Sequence, residues 1–304
     1  MSLVSESGSH RITPRAWAMT LAALTSFALN SLLTRAALGA GLIDAQSFTL
    51  GRLGSGAVVL LLIAAAATPA PPSPHSSSLK VAGSAAALFL YALPFSLAYS
   101  RIPAGTGAFV LFCCVQVTMI GWDVAKGGRL RRGEVAGLGV ALAGLGWLTR
   151  PGVGSPDPVG VLLMAIAGTS WGIYSIRGRT SGPPLHATAR NFAAAVPLAL
   201  VASAASNSNL HLSARGALLA LVSGAITSGL GYVAWYSALP SLTPTRASVL
   251  QLAVPPLAAV FGVLLLNEVL TPRLMVAAPL ILGGIAIVVV SHRPRPLVGP
   301  EAAE

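Results

Sequence analysis

The sequence predicts an all-α membrane protein whose ten transmembrane helices form two inverted five-helix repeats. Of the 304 residues, 54% are hydrophobic and only 9% are charged, whereas soluble proteins average about 25% charged residues. The apolar residues collect in uncharged runs of about 20, a length that crosses a bilayer core of about 30 Å. The junction at 99–103, Tyr-Ser-Arg-Ile-Pro, returns at 236–240 as Tyr-Ser-Ala-Leu-Pro. Such a repeat divides a chain into similar units.

The apolar runs define ten spans and, with them, the domain organisation. The spans are 16–38, 47–67, 80–100, 104–125, 133–149, 158–177, 186–205, 214–239, 244–266 and 272–291. They group into a first repeat at 16–149 and a second repeat at 158–291, flanked by tails at 1–15 and 292–304. The first span is longer than the apolar core of a signal peptide, so we expect it to be retained.

Further correspondences align the two repeats. Residues 25–27 (Thr-Ser-Phe) correspond to 169–171 (Thr-Ser-Trp), and residues 143–144 (Ala-Gly) correspond to 283–284 (Gly-Gly). Each repeat has five spans, an odd number, so the second repeat must be inverted in the membrane. Inverted repeats are typical of secondary transporters, whose substrate sites lie near the membrane midplane between the repeats.

The net charge of +11 comes from basic residues that lie between the apolar runs. They do not form the polar, aromatic-rich face of a nucleic-acid surface, so no nucleic-acid partner is expected. Lys and Arg concentrate in the cytoplasmic loops of membrane proteins. The opposite side holds Arg35, Arg52, Arg101, Arg150, Arg215 and Arg273. The side with both termini holds the larger group: Arg11, Arg15, Lys80, Lys126, Arg129, Arg131, Arg132, Arg177, Arg179, Arg190, Arg246, Arg293 and Arg295. We therefore expect a multi-pass protein of the bacterial inner membrane with both tails in the cytoplasm.

The second half carries a series of short motifs in a fixed order. They are Ala238-Leu239-Pro240, Ala247 to Val249, Pro255-Pro256, Leu266-Asn267-Glu268 and Gly283-Gly284-Ile285. This pattern resembles the drug/metabolite transporter superfamily, EamA type, and within it the chain is most similar to the aromatic amino-acid exporter group (YddG-like). The resemblance implies ten helices in two inverted repeats and the export of small organic solutes. The first half departs from the pattern, because Gly128 stands where Glu268 stands in the second half.

Aromatic residues share helix faces in three spans. Neighbours three or four residues apart lie on the same face of a helix, and a buried tyrosine hydroxyl needs a partner that lipid does not offer. We therefore expect these faces to line a cavity and bind substrate; the alternative is an aromatic belt at the membrane surface. The residues are Tyr91, Phe95 and Tyr99 in the third span, Trp171 and Tyr174 in the sixth, and Tyr232 and Tyr236 in the eighth.

Three amides lie deep in the spans, namely Asn30, Gln116 and Gln251. An amide can hydrogen-bond to both ends of a zwitterion, which makes each of the three a candidate substrate contact. The alternative role is a hydrogen bond between helices. Both roles stay open at this stage.

Prolines mark the candidate gates and hinges. Pro103 and Pro240 end the repeated junctions, which the topology places on opposite membrane faces. Pro94 and the pair Pro255-Pro256 fall within spans, where proline removes a helix hydrogen bond and bends the helix. The bends could serve gating or could be static.

No Asp, Glu, Lys or His lies near the centre of a span, although such residues mark proton relays in transporters. This favours a facilitator driven by the solute gradient over a proton antiporter. Arg35 and Arg52 are expected near each other at the external membrane surface. There, arginines anchor helices, form gates or steer a carboxylate.

Together these patterns predict an exporter that moves small organic solutes by alternating access through a central cavity. Aromatic and other neutral amino acids are the expected substrates; drugs, nucleosides or other metabolites on the same fold are the alternative. A multispan enzyme or a lipid-handling protein is a weaker interpretation, because an enzyme needs a buried base, nucleophile or metal cluster and none is evident. We expect a monomer in contact with membrane lipid, with no catalytic residue, no metal site and no cofactor.

Overall fold

The computed structural model describes residues 13–67, 77–127, 129–178, 183–205, 211–242 and 244–291. All regular structure in these ranges is helical, apart from an isolated β-bridge between Ile43 and Leu212. The C-terminal tail and most of the N-terminal tail lie outside the described residues, as does Gly128. The prediction of an all-α fold is confirmed.

The helices match the ten predicted spans closely. The first repeat contains α1 (Pro14–Gly39), α2 (Ala45–Ala66), α3 (Ser78–Tyr99), α4 (Ala104–Ala125) and α5 (Arg132–Thr149). The second repeat begins with α6 (Pro158–Gly178) and α7 (Pro184–Ala204) and ends with α12 (Pro272–Ser291). The agreement follows from the bilayer, which requires about 20 apolar residues per helix and satisfaction of every backbone polar group within the helix.

The eighth and ninth spans are not uniform helices. The eighth consists of α8 (Ala214–Val222), a π-helical segment (Ser223–Leu230), α9 (Gly231–Ala238) and a 3₁₀ turn (Leu239–Ser241). The ninth consists of α10 (Pro244–Gln251) and α11 (Val254–Leu266). The sequence suggested that Pro255 and Pro256 bend a continuous helix. They do not, because the ninth span is divided into two helices before them. They stand in the first turn of α11, where their missing N–H groups cost no helix hydrogen bond.

Nine helical segments in the described residues are long and apolar enough to cross a membrane. The fifth span is the exception, because α5 has only 18 residues and carries Arg132 and Glu134 in its first turn. It nevertheless packs closely and antiparallel along α12. A Cβ on Gly133 would touch the side chain of Ser291, and a Cβ on Gly144 would touch Ile281. The fifth span is thus held in place by α12, its counterpart in the second repeat.

The packing between the two halves obeys a pseudo-twofold relation. The third span packs on the sixth as the eighth packs on the first, and the second span packs on the eighth as the seventh packs on the third. The second and seventh spans pack on each other, and so do the fourth and ninth and the fifth and tenth. The main contacts between the halves thus have mates when the repeats are exchanged, which is the arrangement expected of inverted repeats.

Candidate functional site

A cavity of about 440 Å³ lies between the two repeats. Spans one to four and six to nine all contribute to its lining, whereas α5 and α12 contribute none of it. The paired α5 and α12 therefore act as scaffold, and the other eight spans surround the cavity. Its volume lies within the range of about 300–1,000 Å³ that is typical of small-molecule sites.

Six aromatic residues predicted to face inward do line this cavity, namely Tyr91, Phe95, Trp171, Tyr174, Tyr232 and Tyr236. Trp171 lies at their centre. Its ring centroid is 4.8 Å from that of Tyr91, 5.4 Å from that of Tyr174 and 5.6 Å from that of Tyr232. These separations are those of interacting aromatic pairs. The rings of both repeats thus form one continuous aromatic wall.

Tyr99 does not line the cavity, contrary to the expectation from its spacing. Its side chain is completely buried, and its hydroxyl donates a hydrogen bond to the carbonyl oxygen of Ala104 at 3.3 Å. A Cβ on Gly107 would collide with its ring, so α4 passes close over it. Tyr99 thus packs at the end of α3, between α3 and the start of α4.

The three amides separate in the structure. Gln251 lines the cavity at the end of α10, whereas Gln116 does not line it. The face of α4 that meets the cavity carries Val115 and Met119, four residues apart. Gln116 follows Val115 and is rotated by about 100° around the helix axis, so its side chain leaves the cavity-facing side.

Asn30 lines the cavity and also joins the repeats. Its Oδ1 accepts hydrogen bonds from the hydroxyls of Ser223 at 2.7 Å and Thr227 at 3.2 Å. Both hydroxyls belong to the π-helical segment, and π-helical geometry is frequent at functional sites. The amide oxygen of Asn30 thus forms hydrogen bonds between helices, which is one of the two roles that the sequence left open. Asn30 also contributes to the cavity lining.

Arg52 is the site residue that the sequence misplaced. It is not at the external surface beside Arg35, because it lines the cavity and only 2% of its surface is exposed. Its Nη2 donates to the hydroxyl of Tyr91 at 2.9 Å, and its Nε donates to the hydroxyl of Ser228 at 3.2 Å. Its position in the span could have indicated this. Arg52 lies seven residues after Ala45, where α2 begins, and thus about 10 Å along the helix.

Polar residues of α7 also escaped the sequence analysis. Asn191 donates from Nδ2 to the hydroxyl of Tyr174 at 3.4 Å, and the hydroxyl of Thr188 donates to that of Tyr236 at 3.3 Å. Thr188 and Asn191 are three residues apart and both line the cavity. Two polar residues three apart share a face of the helix. This spacing within a span could have identified them as candidate site residues.

Contacts around Glu268 join helix ends beyond the lining at one end of the cavity. Its carboxylate accepts a hydrogen bond from Arg35 Nε at 3.1 Å and bonds from the backbone N–H of Ala104 at 2.9 and 3.2 Å. Arg35 Nη1 donates to the carbonyl oxygen of Tyr99 at 2.8 Å. The junction that ends in Pro103 is thereby held to the turn between α11 and α12. We call this group of contacts the latch.

A left-handed residue aims Glu268 at the latch. Asn267 ends α11 with φ 54° and ψ 32°, a conformation that asparagine tolerates better than most residues. Gly262 leaves the space, because a Cβ there would lie 2.5 Å from Glu268 Oε2. The Leu266-Asn267-Glu268 motif is thus a helix end that positions a carboxylate.

The cavity extends towards the other end of the molecule. Its lining reaches Gly178 at the end of α6, Pro184 at the start of α7, Leu239 in the 3₁₀ turn, and Ala247 in α10. Pro240 lies next to this lining, and Pro94 lies within α3 between the lining residues Tyr91 and Phe95. The two repeated junctions therefore occupy opposite ends, as predicted. We call the second end the open end.

Within the described ranges, no three His, Cys, Asp or Glu side chains come together as they would around a metal ion. Cys113 and Cys114 are free thiols within α4. Cys113 is buried in the core, as expected for small residues of an apolar span.

Comparisons with known proteins agree with this architecture. The model of the EamA-like transporter family matches residues 158–290. The chain is 45% identical over 270 residues to Uncharacterized protein PA1977 of Pseudomonas aeruginosa, covering 89% of this chain and 93% of that protein. A crystal structure described only as that of a protein has the same fold, with a TM-score of 0.64 and 21% identity over 89% of this chain and 98% of its own.

Proposed function

We propose that this chain, which belongs to the EamA-like transporter family, exports aromatic and other neutral amino acids across the bacterial inner membrane. A membrane transporter or exporter of small solutes is what the family implies. The observation that carries the finer proposal is the aromatic cavity between the repeats. Its lining combines nine aromatic residues with a few polar side chains, among them Asn30, Thr188 and Gln251.

The lining suits a substrate that has an aromatic or apolar body and a small polar end. Aromatic rings bind each other in offset or tilted arrangements, at about 0.5–1.5 kcal/mol per pair beyond the area that they bury. Trp171 and Tyr232, with interplanar angle 44°, offer such surfaces near the middle of the cavity. The hydroxyl and amide groups around them offer hydrogen bonds for the polar end.

Transport by alternating access is supported by the difference between the two ends. The latch joins helix ends beyond one end of the cavity, and the cavity lining reaches the other end of the helices. The distribution of basic residues favours the external side for the latch and the cytoplasm for the open end. This conformation is then the one that admits a solute from the cytoplasm, and export requires the latch to open while the cytoplasmic end closes.

Uptake of labelled phenylalanine into proteoliposomes that hold the purified chain tests the proposal. We expect Trp171→Ala and Tyr232→Ala each to lower the transport rate at subsaturating substrate about tenfold, because each removes a ring worth about 1.5–3 kcal/mol of burial. Trp17→Ala is the matched control, since Trp17 is 42% exposed on α1 and does not line the cavity. If no amino acid moves under any gradient, the amino-acid assignment is wrong.

Drugs, nucleosides and other metabolites are tested in the same vesicles. A nucleoside or a cationic drug that moves while phenylalanine does not would replace the amino-acid substrate and leave the transport mechanism in place. Loss of that movement in Trp171→Ala would still locate the site in the aromatic cavity.

A further inference from the structure

The charge balance of the cavity is unusual for a site buried between membrane helices. Among its described lining residues, Arg52 alone carries a charge at neutral pH. An ionised group inside a membrane protein is costly and is normally paired or functional. Arg190, the counterpart of Arg52 in the repeat alignment, is exposed. The buried position of Arg52 is therefore a feature of this one site and not a consequence of the repeat.

The protein satisfies only part of the Arg52 guanidinium. This group has five N–H donors, and the hydroxyls of Tyr91 and Ser228 accept from Nη2 and Nε. Its central carbon lies 5.2 Å from the ring centroid of Tyr91 and 5.0 Å from that of Phe95, so the rings contribute cation–π attraction. Nη1 is buried without a hydrogen-bond partner. No carboxylate among the described residues forms an ion pair with Arg52.

An unpaired buried donor of a charged group is expensive, and a ligand that supplies an acceptor removes that cost. The planar guanidinium matches a carboxylate, whose two oxygens can accept parallel N–H bonds. A phosphate monoester would bring nearly two negative charges to one cation, which leaves the second unpaired in the cavity. The single charge of Arg52 thus favours a carboxylate.

We propose that Arg52 is the subsite for the carboxylate of the transported solute, and that the cavity selects aromatic acids by this group rather than by an amine. Trp171 and Tyr232 hold the aromatic body beside it. No acidic side chain lines the described cavity to pair with an ammonium group. Nη1 is enclosed by the cavity wall in this conformation, so a ligand oxygen reaches it when a neighbouring side chain moves. The inference rests on the proposed transport function and names the chemical group that it recognises.

Calorimetric titration of the purified full-length chain in detergent tests the proposal with four phenyl compounds. These are 3-phenylpropionate, L-phenylalanine, 2-phenylethylamine and L-phenylalaninamide. We expect the two carboxylates to bind at least about tenfold more tightly than the amine and the amide, because an ionised carboxylate accepts stronger hydrogen bonds from a guanidinium than a neutral group does. This comparison needs no variant, so it does not depend on the folding of a mutant.

Arg52→Gln then assigns the selection to this residue. We expect the preference for carboxylates to fall to within about twofold, because glutamine keeps hydrogen-bonding capacity and loses the charge. Arg52→Lys should retain part of the preference as a point charge. Arg101→Gln is the control, because Arg101 lies in the α3–α4 turn beside Asp157 and outside the cavity.

The outcomes separate the two proposals. Binding of 2-phenylethylamine as tight as that of 3-phenylpropionate to the unmodified chain overturns the carboxylate subsite and leaves transport of aromatic solutes intact. A preference that survives unchanged in a folded Arg52→Gln variant overturns the role of Arg52. If none of the four compounds binds or crosses proteoliposomes, the proposed amino-acid transport fails, and the subsite inference fails with it.

Discussion

Arg35 and Glu268 form an ion pair across the two repeats, with 3.1 Å between Arg35 Nε and Glu268 Oε1. The pair is mostly buried, since the side chains of Arg35 and Glu268 are 24% and 13% exposed. It is tied to the backbone at both partners, through Tyr99 on one side and Ala104 on the other. These four groups fasten the end of α1 and the α3–α4 turn to the turn before α12. The contact therefore joins elements that must separate if this end of the cavity opens.

Glu268→Gln is predicted to favour opening of the latch end. The amide removes the ion pair and weakens the bonds from Ala104, each bond to a charged group being worth about 1.5–3 kcal/mol. We expect the open population at this end to rise about tenfold. A cysteine at Ser31, one helical turn from Arg35, reports this in a chain with Cys113 and Cys114 replaced by serine. Its labelling by a membrane-impermeant maleimide in intact cells should accelerate.

Asp157→Asn is the matched control for the latch. It removes a second ion pair, between Arg101 and Asp157 at 3.7 Å, on the same face of the molecule. That pair is exposed, with side-chain exposures of 49% and 36%, and exposed pairs contribute about 0–1 kcal/mol. Its removal should leave labelling at position 31 nearly unchanged. Equal labelling in the unmodified and Glu268→Gln chains would contradict a gating role for the latch.

Gln251→Ala and Gln116→Ala are predicted to differ in their effect on transport. Gln251 lines the cavity and Gln116 does not, although each is a deep amide in the fourth span of its repeat. We expect Gln251→Ala to raise the apparent KM for phenylalanine about fivefold, which corresponds to the loss of about one hydrogen bond. Gln116→Ala should keep KM within about twofold. A larger effect at 116 than at 251 would show that another conformation binds the substrate.

The spans, their inversion and the aromatic faces could be predicted because the bilayer fixes them locally. A helix must be apolar for about 20 residues to cross, so the sequence of α12 places its limits at 272 and 291, where the structure has them. Five spans per repeat require inversion. Tyr91 and Phe95, four residues apart, share a face whatever surrounds the helix. None of these inferences needs knowledge of the neighbouring helix.

The roles of single polar residues could not be predicted, because they depend on helix rotation. Gln116 and Gln251 look alike in sequence, and only the packing of α4 against α6 turns Gln116 away from the cavity. That packing depends on Gly168, where a Cβ would lie 2.5 Å from the carbonyl oxygen of Leu111. Arg52 was misplaced for a related reason. Charge alone suggested the membrane surface, whereas its partners Tyr91 and Ser228 come from other helices.

Gly284→Ala and Gly283→Ala are predicted to change stability in opposite directions. A Cβ at 284 would lie 2.5 Å from the backbone nitrogen of Ala141 and 2.5 Å from the carbonyl oxygen of Gly137, whereas a Cβ at 283 meets nothing within 4 Å. Backbone atoms cannot rotate away, so Gly284→Ala should force α5 and α12 apart and cost about 1–3 kcal/mol.

The neighbouring substitution isolates this packing effect from the effect of glycine on the helix itself. Alanine is about 0.8–1.0 kcal/mol more favourable than glycine inside a helix, so Gly283→Ala should raise the melting temperature in detergent while Gly284→Ala lowers it. Gly139→Ala, which also meets no atom within 4 Å, should behave like Gly283→Ala. A melting temperature that rises in Gly284→Ala would mean that α5 and α12 are not in close backbone contact. The scaffold role assigned to these two helices would then have to be abandoned.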